Sequence, residues 1–240
     1  MGSYRFDYYS AFLHVMTYVA LNNATEWLAR PLAEKGTATG YDFLLAMVRT
    51  REGYPSSPAS PWLADYGPNK RDYLEVVPSY VDVVPALQFG SVGMALATAR
   101  LADQNGAPFG NGSGAALAVL LRANASAIAS AAQEHLWRDD DSGAWRCIYP
   151  NGTSAPVRSV NDYVYIAQSI GFLGRDASFS LPANVSRASV DFFERELLAP
   201  GTAWVRALSL DDQLCSNVQS LTPSIEDLLV MRADWGCFGA

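Results

Sequence analysis

Histidine is almost missing from this 240-residue chain: there are two, His14 and His135. Both fall in stretches that read as helix, so a Ser–His or Cys–His nucleophile pair has little to draw on. A histidine-based metal site is equally short of ligands. Cysteine is scarce as well. Cys147, Cys215 and Cys237 allow one disulfide and leave one thiol over, and their spacing fits no zinc pattern and does not decide the pairing. Positive charge is in deficit, with 17 Lys and Arg against 24 Asp and Glu and a net charge of -7. A nucleic-acid partner needs clustered cations and is not expected. No apolar run approaches the ~20 residues of a membrane span, so none is expected. The opening MGSYRFDYY has neither the basic start nor the apolar stretch of a signal peptide. The glycine cluster GAPFGNGSG at 106–114 follows a helix instead of a strand and lacks the lysine of a phosphate loop. Asp139, Asp140 and Asp141 lack calcium-loop spacing and read as a solvated turn. The chain is therefore expected to need no cofactor and no metal.

What is present is a globular composition, half hydrophobic and only 17% charged, on a length that suits one sizeable domain. Five N-x-S/T sequons stand at Asn23, Asn111, Asn124, Asn151 and Asn184. So many lean toward a secreted, extracellular or lumenal protein carrying N-linked glycans, and an oxidising compartment would favour a disulfide staple. Asn124 falls near the buried stripe of its helix, so the expected glycan sites are Asn23, Asn111, Asn151 and Asn184.

Apolar spacing predicts helices over residues 7–30, 40–51, 85–104, 114–137, 160–173 and 183–198. The first carries Tyr9, Phe12, Leu13, Met16, Val19 and Ala20 inward, with His14 partly buried beside them. The third places Leu87, Val92, Leu96 and Ala99 inward. The fourth places Leu117, Leu120, Leu121, Ile128 and Ala131 inward. A last helix opens with Thr222 as cap and Pro223 in the first turn. EGYPSSPASP at 52–61 holds three prolines and reads as an extended loop, neither helix nor central strand. Residues 145–156, an aromatic strand followed by an Asn-Gly turn, read as a small β-hairpin. The fold class is all-α, built of helical hairpins with one small β-hairpin. The chain ends on RADWGCFGA without a cap or polar tail, so the single domain over 1–240 is expected to continue further.

The alternation of long helices with loops such as WLADYG…YLEVVPSY, LWRDDDSGAW and W-x-RALSLDD resembles the six-hairpin glycosidases. The likeness is one of pattern over most of the chain. It implies an (α/α)6 toroid, here about two-thirds complete, whose loops at one end line a carbohydrate-facing cleft. Glycoside hydrolysis takes two carboxylates across the scissile bond, one a proton donor and the other a base or nucleophile. Candidates are acids on cleft loops flanked by aromatics, which stack on sugar faces and desolvate a carboxyl group.

The richest stretch is 62–87, which holds Asp65, Asp72, Glu75 and Asp82. Asp65 lies between Trp62 and Tyr66, and Glu75 beside Tyr73 and Tyr80. The opposing carboxylate is expected from Asp211 or Asp212, which follow Trp204 and Arg206, or from Asp234. Trp62, Tyr66, Tyr80, Trp204 and Arg206 are the expected sugar contacts. Plainer roles compete: Asp65 as a turn residue before Gly67, Glu75 as partner of Lys70 or Arg71, Asp212 as a helix cap, and Arg158 with Asp162 as a structural ion pair.

The alternative function is a non-catalytic glycosylated protein, structural or carbohydrate-binding, which self-assembles or associates with the rest of a longer chain. A uronate lyase on the related toroid is disfavoured, because the resemblance ties such enzymes to histidine, tyrosine and arginine.

Overall fold

The computed structural model describes residues 5–32, 36–68, 81–105, 114–139 and 145–198. Within them the chain is mostly helical, with two small antiparallel hairpins. In order come α1 (Arg5–Asn22), α2 (Thr25–Leu28), α3 (Gly40–Arg49), a 3-10 turn (Thr50–Gly53), β1 (Ser56–Ser57) and β2 (Ser60–Ala64). There follow α4 (Pro85–Asn105), α5 (Gly114–Leu136), β3 (Arg146–Ile148), β4 (Ser154–Pro156), α6 (Val160–Asp176) and α7 (Ala183–Phe192), which runs into one wider turn at Phe193–Leu197.

The helix predicted over 7–30 is two helices. Asn23 takes a left-handed backbone with φ 46°, a conformation that asparagine tolerates better than most side chains, and this separates α1 from α2. Thr39 caps α3 reciprocally: its hydroxyl accepts from the Asp42 N–H, and the Asp42 carboxylate accepts from the Thr39 N–H. Pro85 opens α4, where its missing N–H costs nothing.

The proline-rich 52–61 segment differs from the expected open loop. It contributes the 3-10 turn and the hairpin β1–β2. Pro58 lies in the connecting turn and Pro61 in a strand of a two-stranded sheet, where every strand is an edge and no ladder bond need be lost. The predicted second hairpin is present as β3–β4, with Cys147 opposite Ala155 and Gly152 at φ 79° in its turn. Two hairpins replace the one expected.

The core is organised around α4. Its residues are buried on every side from Ala86 through Ala99, save the half-buried Gly93, which is the mark of a central helix. It packs against α5 and α6, with α1 and α3 on its other flank. Three side-chain bonds fix α6 along it. The Ala86 N–H donates to Asp162, the Ser169 hydroxyl donates to the Phe89 carbonyl, and Arg100 pairs with Asp176 at 2.9 Å.

Leu87, Val92, Leu96 and Ala99 face inward as expected, and so do Phe12, Val19, Leu121, Ile128 and Ala131. Leu120 and Ala20 do not: both are exposed, as is His14. Helical spacing identifies a stripe, but the angular width that neighbours cover depends on packing. By length and composition α5 could cross a membrane, although nearly half of its apolar stretch is buried against the rest of the fold.

Gly40 sits where α2 and α3 touch. A Cβ there would lie 3.0 Å from the Leu28 Cα and 3.1 Å from its carbonyl oxygen, and neither backbone atom can rotate away. Gly40→Ala is therefore expected to cost about 1–3 kcal/mol. Urea unfolding checks this; a variant as stable as the native chain would show that the two helices can slide apart freely.

Candidate functional site

Gln88 anchors the region. Fully buried on α4, its amide donates to the Ala64 carbonyl at 2.8 Å and accepts from the Ala64 N–H at 3.1 Å, clamping the end of β2 to the central helix. Immediately beyond that clamp the chain presents Asp65. The Tyr66 N–H donates to the Asp82 carbonyl and the Asp82 N–H donates to the Gly67 carbonyl, both at 3.0 Å. Next in the chain, Val83 exchanges two backbone bonds with Ile148 of β3. Residues 65–67, 82–83 and 148 thus form a short ladder that joins the two hairpins.

Asp82 has φ 64°. A left-handed non-glycine residue is strained by ~1–3 kcal/mol, and such strain concentrates at functional positions. Only 3% of the Asp82 surface is exposed. Burial pushes its carboxyl group above the usual range, and the charge of Asp65 pushes it further. Asp65 itself is half-buried, and its Oδ1 accepts the Gly67 N–H at 2.8 Å. The turn role is therefore present, but it occupies one oxygen only.

Asp65 lines a cavity of about 310 Å³. Three elements form its walls: Ser57, Pro58 and Ala59 with Asp65 from the first hairpin, His135 and Arg138 from the end of α5, and Ile148, Tyr149, Pro150 and Gly152 from the second hairpin. Tyr149 contributes a phenol whose pKa is raised, first by burial, then by its hydrogen bond to Cys147 and by the charges of Cys147 and Asp82. Cys147 is buried, and desolvation is the chief cause that raises the pKa of its thiol. The other two cysteines of the expected disulfide staple, Cys215 and Cys237, lie outside the described residues. A second cavity, of about 500 Å³, lies between α1, α4 and α6 and is lined mainly by apolar side chains such as Met16, Met94 and Phe172.

The structure separates the expected sugar platforms. Trp62 is 45% exposed, though it does not line the cavity with Asp65. Tyr66 is corrected: it is only 4% exposed, meets the Tyr54 ring at a tilt with centroids 4.6 Å apart and directs its hydroxyl toward the Leu87 carbonyl. It is a core residue and offers no face to a ligand. Glu75, Tyr80, Trp204, Arg206, Asp211, Asp212, Asp234 and Asn111 lie outside the described residues. Asn23, Asn151 and Asn184 are exposed. The Asn151 carbonyl oxygen accepts both from the Thr153 N–H and from its hydroxyl.

Sequence reasoning placed Asp82 in the acid-rich stretch without giving it a role, and it passed over His135 and Arg138 for this cavity. The available signal was their i, i+3 spacing at the end of a helix next to a turn. Nothing in the sequence shows that the turn abuts Asp65. Among the described residues no group of three or more His, Cys, Asp or Glu could hold a metal ion. Comparisons with protein-family models, curated proteins and solved structures gave no match.

Proposed function

We propose that this chain is a carbohydrate-active protein of the glycoside hydrolase kind, secreted or lumenal and N-glycosylated, on a partial (α/α)6 toroid without a membrane span. One observation carries the reading: the half-open Asp65 lines a cavity of sugar dimensions, while the buried Asp82, which does not line it, sits in an unlike environment close enough to feel the Asp65 charge. Pairs of acids whose surroundings push their protonation apart are the working parts of glycoside hydrolysis. In this reading Asp65 is the catalytic carboxylate that touches substrate. Asp82 is a positioning residue behind it, and the acid across the bond is Asp211 or Asp234.

The test is hydrolysis of a panel of aryl glycosides and polysaccharides. Asp65→Asn is expected to lower kcat by about 10²–10⁴-fold. If the Asp65→Asn chain hydrolyses as fast as the native one, Asp65 is not the catalytic group. The exposure of Asn23, Asn151 and Asn184 supports a second reading, a glycosylated carbohydrate-binding protein without turnover. It is distinguished by native chain that binds oligosaccharides but leaves every one intact.

A further inference from the structure

The cavity beside Asp65 has a cationic wall that a neutral sugar would not require. His135 and Arg138 reach it from the end of α5, an element separate from the hairpin that brings the acid. A helix C-terminus favours basic residues wherever it lies, so their presence alone means little. What singles them out is that both line one small cavity together with Asp65. Arg100, Arg122 and Arg195 each pair with a carboxylate, at 2.9, 2.5 and 2.9 Å. Among the described residues Arg138 has no such partner, and it is exposed at the cavity's edge. Among the described residues the His135 imidazole has one carboxylate within ion-pair distance, Glu134 at 3.9 Å, and that side chain is 71% exposed. In a chain with a net charge of -7, an arginine and one of two histidines lining one small cavity leave hydrogen-bond donors free for an incoming anion.

We infer that the cavity takes a sugar bearing a carboxylate, a uronic acid residue, with Arg138 and His135 holding the carboxylate and Asp65 facing the ring. This rests on the carbohydrate reading of the same cavity and names its substrate class. The guanidinium fork matches the two oxygens of a carboxylate with two parallel N–H bonds, while the imidazole adds a third donor. Asp65 then accepts from ring hydroxyls, and the glycine and small residues of the hairpin turns leave room for the ring.

The experiment is calorimetric titration of the full chain. The probes are glucuronic, galacturonic and mannuronic acid trisaccharides, their neutral twins reduced at C6, and a 6-sulfated hexose trisaccharide. At least one uronic trisaccharide is expected to bind tenfold or more tightly than its neutral twin. Arg138→Gln is expected to erase that difference and Arg138→Lys to restore part of it. Because Arg138 is exposed, neither variant disturbs the core. Equal binding of acidic and neutral twins by the native chain overturns the inference while leaving the carbohydrate reading intact. Preference for the sulfated sugar overturns the carboxylate assignment. If no trisaccharide of either kind binds, the carbohydrate reading falls with it.

Discussion

Trp145→Ala is expected to destabilise the protein by about 3–5 kcal/mol, the range for emptying a large buried aromatic site. Trp145 is fully buried where the second hairpin meets the helices. Its ring meets Phe89 of α4 edge-on at 4.9 Å and Trp137, just past α5, at 5.3 Å. Its indole N–H donates to the Ser189 hydroxyl of α7 at 2.9 Å, and its carbonyl accepts the Val157 N–H at 2.8 Å. One side chain therefore touches α4, α7 and the end of α5, and truncation leaves a hole that no single neighbour can close. Trp145→Phe keeps apolar bulk and loses the N–H bond, so about 1–2 kcal/mol is expected. Denaturant unfolding with the slope held constant is the measurement. A Trp145→Ala chain within 1 kcal/mol of native would mean that the hairpin is not part of the cooperative core.

The second large effect depends on pH. Asp162 is completely buried, and desolvation raises its pKa to about 6, against the lowering effect of its bonds from the Ser159 hydroxyl and from the Ala86 and Asp162 N–H groups. The Ser159 hydroxyl lies 2.6 Å from one carboxylate oxygen and the Ala86 N–H lies 2.9 Å from the other. The carboxylate thus binds the first turns of both α4 and α6. The ordinary value is 3.8, so between about pH 4 and 6 the folded chain keeps a proton that the unfolded chain releases. The contribution is full below pH 4 and is lost as pH rises through 6, a fall of ~3 kcal/mol over about two units.

Asp162→Asn retains an oxygen for Ala86 and offers an amide N–H to Ser159, so it should match or exceed the native stability near pH 7.5. The difference between the two chains should shrink toward zero as the pH falls to 4. Asp162→Ala leaves the Ala86 N–H and the α6 cap unserved and should cost about 2–4 kcal/mol near pH 4, a cost that shrinks as the pH rises through 6 and the native carboxylate loses its proton. Parallel native and Asn-variant stability curves would show that Asp162 does not hold that proton.

The helices were legible where the sequence carries local instructions. Thr39 and Asp42, Pro85, and Ser159 with Asp162 mark starts, and the Asn-Gly pair at 151–152 marks a hairpin turn. What escaped was decided by contacts between distant residues. Leu120 continues the apolar stripe of α5 yet lies outside the arc that α4 covers. Trp62 and Tyr66 look alike as aromatics near an acid, but Tyr54 and Leu87 claim only the second. Asp65 stood out through its flanking residues, and it lines a cavity. Asp82 gains its character from a backbone angle and a burial that no neighbouring residue announces. His135 and Arg138 reach the cavity only because β3 pairs with Val83.

The central position of α4 has a consequence for synthesis on the ribosome. Its anchoring partners Asp162, Ser169 and Asp176 lie 76–80 residues downstream. When α4 emerges, the surface destined for α6 has nothing to cover it, and at about 5–20 residues per second that interval lasts about 4–16 s. A nascent helix destined for burial on nearly every side is a ready substrate for chaperones and for other copies of itself. Yield in a heterologous host should therefore follow translation speed and chaperone supply over this interval more closely than the equilibrium stability of the finished chain.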